Sequence, residues 1–333
     1  MTIQSVSLDD LDPDWLRWIC EALSSRASTS QIVRALKERG DPNPVATIAA
    51  VQEHPIFKWA IQQQISGKRA QTYLKLQETL WEMRETTLPR LSAPSQEYFY
   101  EHFYLAHRPV IITDWVKHWD AVHTWNPQNW VEKFADVPIE ISARRNTTPQ
   151  FDRNFTSTEE STTLGAFAHE LLSLSEPSND RYLIARNYAL RQPELKSLWD
   201  DIDEHHYLNP LRREGNAALW FGPEGTYTPL HHDTCQIMFA QIWGDKHFSL
   251  IPAHAQSLYR HATNMYSDLP FDLDLAKHPQ HPHQIELTLK AGEALFIPVG
   301  WWHAVRSLSV SISVAMTHFY AKNDFAWYQP GRD

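Results

Sequence analysis

The spacing of apolar residues changes character along this chain. Over roughly the first 88 residues it has helical periodicity. Leu16, Ile19, Cys20 and Leu23 fall at i, i+3, i+4 and i+7 behind Asp12-Pro13, an N-terminal acceptor followed by a ring that fits a first helical turn. Ser28 to Ser30 offer a cap for a second helix carrying Ile32, Val33 and Leu36, which Gly40 ends. Asn43-Pro44 opens a third helix, stopped by Pro55. From Ile56 to about Arg84 the pattern predicts a longer helical region anchored by Ile61, Ile65, Leu76, Leu80 and Trp81, with Gly67 as a break point.

From Leu88 the texture is that of short strands. Pro109 to Ile112, Ile139 to Ile141 and Arg181 to Ala185 read as strands, with helical connectors at Trp125 to Trp130 and Thr163 to Ser173. Beyond Asn216 strands dominate: Ala217 to Phe221, Thr228 to Ile242, His247 to Ile251, Ile285 to Leu289, Ala294 to Ile297, His303 to Ser307 and Ser309 to Phe319. Gly222, Gly225, Gly244, Gly292 and Gly300 punctuate these runs, as the turns of a sandwich or barrel require. Tyr259 to His283 is a polar insertion with three prolines, expected over one mouth of the barrel. The expected organisation is a helical region over residues 1–87 and a mainly β domain over residues 88–333.

Charge narrows the partners. The net charge of −10 disfavours unspecific binding to nucleic acid or anionic membrane, and neither is expected as a partner. The N-terminal helices admit a DNA-docking reading, but ten Lys/Arg balance ten Asp/Glu through Arg84, so packing or a homodimer through these helices is preferred. Cys20 and Cys235 are the two cysteines, too few for a disulfide framework or a zinc cluster. With no leader-like start and no apolar run of membrane-spanning length, a cytoplasmic location is expected.

Candidate chemistry gathers in two stretches, Thr228-Pro229-Leu230-His231-His232-Asp233 and Ile297-Pro298-Val299-Gly300-Trp301-Trp302-His303. On a strand, residues i and i+2 share a face, so His231 and Asp233 point one way and His232 the other. His303, 70 residues later at a strand start, supplies a third ligand candidate. Two histidines and a carboxylate on one side of a metal are the ligand set of non-haem Fe(II) oxygenases. Among 18 histidines a His-x-Asp triplet also arises by chance. His254, His261, His278, His281 and His283 read as solvated loop residues. Lys246, after the Gly244-Asp245 turn, reads either as a surface lysine or as the cation for a bound dicarboxylate, with the Thr228 hydroxyl beside it.

The order and flanks of three motifs carry a resemblance. Gly225 to Asp233, Gln241-Ile242-Trp243-Gly244-Asp245-Lys246 and Gly292 to His303 resemble the JmjC, or cupin-like, 2-oxoglutarate oxygenases. Weaker similarity runs upstream through Arg108 to Ile111, Tyr182-Leu183 and Pro193 to Leu195, so that it covers roughly residues 88–320. The resemblance implies a double-stranded β-helix holding Fe(II) through His231, Asp233 and His303. It implies 2-oxoglutarate as co-substrate, chelated to the iron with its far carboxylate on Lys246 and Thr228, and O2 as oxidant. Tyr182 reads equally as a co-substrate contact and as a buried core tyrosine. Two positions depart from the pattern: Ile237 and Ala315 stand where relatives often carry Asn, or Asn or Ser. Gln236, Gln241 or water are the alternatives for holding the inner carboxylate.

The implied reaction is oxidative decarboxylation of 2-oxoglutarate to succinate coupled to hydroxylation of a C–H bond, with no catalytic side chain beyond the metal ligands. His-x-Asp and the Trp-Trp pair before His303 resemble the hydroxylase branch, so a protein or peptide side chain is the expected substrate. Cys235, Arg186 and Trp302 are the candidate substrate contacts, each with a plainer reading as a packing or surface residue. The alternatives are a non-catalytic cupin-like binding or sensor protein, a small-molecule hydroxylase, and a cupin enzyme that needs no 2-oxo acid.

Overall fold

The computed structural model of the protein describes residues 8, 11–25, 27–83, 87–153, 155–255, 258, 265–267 and 284–325. The chain divides into two units, residues 1–79 and 80–333; the sequence pattern places its change of texture at 87/88.

The first unit begins with three capped helices. In α1 (Pro13–Ser24) the Asp12 side chain accepts from the Asp14 N–H. In α2 (Thr29–Glu38) Ser28 and Gln31 form a reciprocal capping box. In α3 (Pro44–Glu53) the Asn43 side chain accepts from Ala46 N–H. Ile19, Ile32, Leu36, Ile48 and Val51 form their buried core. The long helix α4 (Pro55–Glu82) runs unbroken through Gly67. A single glycine costs a helix about 1 kcal/mol, and its neighbours Gln62 to Gln64 and Lys68 to Gln71 favour helix. The expected anchors Ile65, Leu76 and Leu80 are exposed, as are Trp59 and Tyr73.

The second unit is a double-stranded β-helix with helices on one face. Strands β1 (Arg90–Leu91), β2 (Val110–Ile112), β3 (Pro138–Ser142) and β4 (Glu159–Thr163) lead into eight more: β5 (Ala217–Gly222), β6 (Tyr227–His231), β7 (Ile237–Trp243), β8 (Lys246–Ile251), β9 (Ile285–Leu289), β10 (Ala294–Ile297), β11 (Trp302–Ser307) and β12 (Ser311–Met316). A six-stranded sheet has the order β1-β2-β10-β7-β12-β5, a four-stranded sheet the order β6-β11-β8-β9, and β3 pairs β4. Successive strands from β5 to β8 thus alternate between sheets.

Period-2 alternation sorts side chains to either side of the larger sheet. Met238, Ala240, Ile242, Phe296, Ile312 and Val314 face outward, against a core that includes Phe99, Trp115, Trp130 and Phe167. The helices on that side are α5 (Gln96–Phe99), α6 (Ala121–Thr124), α7 (Pro127–Lys133) and α9 (Leu164–Ser173), while α8 (Phe155–Thr158) packs beside β3. The opposite face meets the smaller sheet through Ile111, Phe239, Leu295 and Ile297 against Phe248, Leu250, Leu287 and Val305.

Two expected strands are built differently. The run Thr228 to Ile242 is not one strand: β6 ends at His231, β7 begins at Ile237, and they lie in different sheets. The link is tied down from outside both ladders, with Gly300 N–H donating to Asp233 O at 3.0 Å and Gln236 N–H to Asn323 Oδ1 at 2.7 Å. The run Arg181 to Ala185 makes isolated bridges from Tyr182 to Ser142 and from Leu183 to Phe221. It then turns into a 3-10 helix at Ala185–Asn187. Asn187 causes the turn, donating to Leu219 O at 2.7 Å and accepting from Ala189 N–H at 2.7 Å. Of the expected Tyr259 to His283 insertion only residues 265–267 lie within the described residues. No described helix is long and apolar enough to cross a membrane.

Candidate metal centre

His231 and His303 stand directly opposite each other where β6 pairs β11, their rings 4.1 Å apart between centroids. Asp233 follows two residues beyond His231, past the strand end, with Oδ2 3.8 Å from His231 Nε2 and 3.3 Å from His303 Nε2. One ligand atom from each residue lies within 4.8 Å of the others. Two donors each ~2.1 Å from one ion and at right angles sit about 3 Å apart, so these separations suit a single shared ion.

The register of β6 explains how Thr228 joins this face. Val305 pairs Thr228 while His303 pairs His231, so β6 carries one residue more than β11 between the pairs. Strict alternation would send Thr228 and His231 to opposite faces. The bulge at Pro229-Leu230 resets the phase, and a bulge is also where a strand tolerates proline. Leu230 packs outward with Trp302 and Ala304. His232 turns away from the ligands, its ring 4.7 Å from that of Trp302.

Backbone acceptors set both imidazoles. His231 Nδ1 lies 2.8 Å from Pro229 O, and His303 Nδ1 lies 2.9 Å from Trp301 O. Each Nδ1 must carry the proton to make that bond, which leaves Nε2 as a lone pair facing Asp233. Burial and the neighbouring His303 push His231 down to about 4, so it is neutral at pH 7. Burial alone would raise Asp233, but the adjacent imidazoles, His303 foremost, outweigh it and hold the carboxyl at about 2. A neutral His231 and an ionised Asp233 are in the protonation states that metal ligation needs.

The triad opens into a cavity of about 280 Å³. Its wall includes Tyr182, Trp220, Thr228, Phe239, Phe248 and Val305. Lys246 lies one side chain behind this wall, fully buried. Its Nζ donates to Tyr182 Oη at 2.6 Å and to Ser307 Oγ at 3.2 Å. Both partners are neutral hydroxyls. Burial, reinforced by the positive charge of Arg145, pushes the ammonium down to about 7. A buried ammonium served only by hydroxyls is incomplete without an anion. This fits a carboxylate arriving at Tyr182 and Thr228. Gly222 makes the arrangement possible, because a Cβ there would lie 2.5 Å from Tyr182 Cδ2.

The other expected site residues separate. Cys235 lines the cavity beside Asp233, and burial with that carboxylate pushes its thiol up to about 12. Ile237 and Ala315 both face the cavity, making that part of its wall apolar. Gln241 is committed elsewhere: its amide donates to Trp243 O and Gly244 O and accepts from Ser313 Oγ. Gln236 does not line the cavity. Trp302, expected as a substrate contact, is instead a core residue on the far face of β11, fully buried with Leu230, Ile251, Leu258 and Ala304. Alternation is the reason: Trp302 precedes His303, and the residue before an inward ligand must point outward. The Arg186 side chain lies outside the described residues.

Sequence reasoning missed a buried ion pair at the cavity. Arg145 and Asp152, on the irregular segment between β3 and α8, meet at 3.3 Å with side chains 0% and 6% exposed. Asp152 lines the cavity. This segment has no periodicity, and its polar composition reads as a solvated loop.

Comparison with known proteins places this geometry. A model of the cupin-like domain matches residues 95–325. The chain belongs to the cupin-like domain family. It is 32% identical over 238 residues to lysine-specific demethylase JMJ30 of Arabidopsis thaliana, covering 67% of this chain and 53% of that protein. It is 30% identical over 250 residues to Jumonji C domain-containing protein 5 of Drosophila melanogaster, covering 68% and 59%. It is 22% identical over 254 residues to the bifunctional peptidase and (3S)-lysyl hydroxylase JMJD7 of Homo sapiens, covering 66% and 80%. The chain therefore spans little more than half the length of the first two. The His–Asp–His triad of this cupin-like domain is compatible with iron.

Proposed function

We propose that this protein is an Fe(II)- and 2-oxoglutarate-dependent oxygenase that hydroxylates a side chain of a protein or peptide. The observation that carries the proposal is a His–Asp–His triad in a cavity whose wall, at Tyr182, is backed by a fully buried lysine with two neutral hydroxyls as partners. His231, Asp233 and His303 would hold the ion. Iron with 2-oxoglutarate and O2 supplies the oxidising equivalent, releasing succinate and carbon dioxide. Lys246 neutralises the far carboxylate, with Tyr182 and Thr228 offering hydroxyls on the cavity side. Phe239, Phe248 and Val305 give the cavity an apolar wall that would disfavour water there. The names of the relatives include lysine demethylases and a lysyl hydroxylase, which supports a protein substrate. The direct cavity access of Cys235 beside Asp233 supports its place on the substrate side.

The test is succinate formation from 2-oxoglutarate by the full chain with Fe(II) in air, read by mass spectrometry. The proposal expects succinate from the wild type and none above background from Asp233→Ala. Equal succinate from both proteins would refute it. A second reading, a non-catalytic cupin-like binding or sensor protein, draws on Ile237 and Ala315, which leave apolar surface where an inner carboxylate would rest. Metal and 2-oxoglutarate binding without succinate would favour that reading.

A further inference from the structure

Among the described residues the cavity wall carries one acidic group that the oxygenase reading leaves idle. Asp152 is 4% exposed and lines the cavity. Arg145 reaches only its Oδ1. The other Arg145 donors go to Asn179 O at 3.0 Å, Tyr227 O at 2.6 Å and Ser142 Oγ at 3.4 Å. Asp152 Oδ2 is buried and has no hydrogen-bond partner. A carboxylate oxygen can accept two hydrogen bonds, and leaving a buried acceptor unfilled costs about 1–3 kcal/mol, more when charged. The arrangement is completed by a donor that arrives from the cavity.

The surroundings say what kind of donor. Phe155, Tyr188 and Tyr266 line the same cavity, and Tyr266 stacks on His231 with ring centroids 5.5 Å apart. Tyr188 holds a left-handed backbone, φ 51° and ψ 17°, with 60% of its surface exposed. A non-glycine residue in that region costs of order 1–3 kcal/mol and persists where the surroundings or the function impose it. Aromatic faces beside a lone carboxylate oxygen suit an alkyl stem that ends in a cationic N–H donor.

We infer that Asp152 is the residue that selects the prime substrate, accepting a hydrogen bond on Oδ2 from the ammonium or guanidinium of a substrate side chain whose stem runs along Phe155, Tyr188 and Tyr266. The inference rests on the oxygenase reading and adds to it the residue that reads the substrate's charge. A substrate carboxylate would be repelled by Asp152. An uncharged alkyl chain would leave Oδ2 as unpaired as it is in the free protein.

The experiment uses the full chain with Mn(II) and 2-oxoglutarate under nitrogen. The probes are the Nα-acetyl methylamides of lysine, arginine and norleucine. Mn(II) broadening of their proton resonances reports binding in the cavity, and water relaxation reports Mn(II) binding independently. The lysine and arginine probes should bind at least tenfold more tightly than norleucine. That preference should vanish in Asp152→Asn, with folding checked by its melting temperature. If Asp152→Asn fails to fold because Arg145 is left unpaired, Arg145→Met combined with Asp152→Leu removes both charges and takes its place. Equal binding of lysine and norleucine by the wild type overturns the inference, as does a cation preference kept by either folded variant. Loss of Mn(II) binding itself would overturn the oxygenase reading, and this inference with it.

Discussion

Lys246 makes the co-substrate site a proton-linked one, with a calculable pH dependence. Burial and Arg145 bring the free ammonium down to about 7, from an ordinary value of 10.5. One unit above that pKa, roughly nine in ten molecules hold Lys246 neutral. The carboxylate of 2-oxoglutarate favours the ammonium, so binding there must take up a proton. The dissociation constant should be flat below pH about 6.5 and rise about tenfold per unit between about 7.5 and 9, where both ligand carboxylates stay ionised. Calorimetry on the Mn(II)-loaded protein under nitrogen, in two buffers of different ionisation enthalpy, measures the uptake directly. Close to one proton per ligand is expected at pH about 8.5. Lys246→Met should abolish the slope and weaken binding at neutral pH about 10- to 150-fold, as expected for a lost charged hydrogen bond of about 1.5–3 kcal/mol. The same shift acts on folding. Because the folded value lies below the unfolded one, the unfolded chain holds more protons between about 7 and 10.5, and ligand-free stability rises with pH across that window. The cost of the buried charge is full below pH about 7. A pH-independent dissociation constant with no proton uptake would refute this reasoning.

Other outcomes follow from single contacts. Gly222→Ala would set a Cβ 2.5 Å from Tyr182 Cδ2, so it should lose about 1–3 kcal/mol of stability and weaken 2-oxoglutarate binding, measured by urea unfolding and calorimetry. Trp302→Ala should cost about 3–5 kcal/mol in urea unfolding because the indole is fully buried; a loss below about 1 kcal/mol would mean that it is not a core residue. Mn(II) at a hundredfold excess over its dissociation constant should stabilise the wild type by about 2.7 kcal/mol, seen as a higher melting temperature, and leave Asp233→Ala unmoved. The homodimer expected through the N-terminal helices should give twice the monomer mass in light scattering, and Trp59→Glu with Tyr73→Glu, both on exposed positions of α4, should give the monomer mass.

What the sequence made legible followed from local rules. Asp12-Pro13, Ser28 with Gln31, and Asn43-Pro44 are self-contained capping signals, and each begins a helix close to where it was expected. Alternation places Met238, Ala240 and Ile242 on one face of β7. What escaped depended on long-range contacts. Pro229 hints at an irregular strand but not at its register, and only the bulge against β11 lets Thr228 share a face with His231. The break between β6 and β7 is held by Gly300 and Asn323, 67 and 87 residues away from their partners Asp233 and Gln236. Arg145 and Asp152 are close in sequence, but their burial is set by Asn179 and Tyr227, which no local pattern connects to them.

The central claim is that this triad chelates a metal together with a 2-oxo acid. Anaerobic titration of the metal-free protein with Fe(II) and 2-oxoglutarate, followed in the visible spectrum beside Asp233→Ala, asks this directly. A chelating triad gives a charge-transfer band that needs both components and is lost in the variant. Iron binding without that band would contradict the claim.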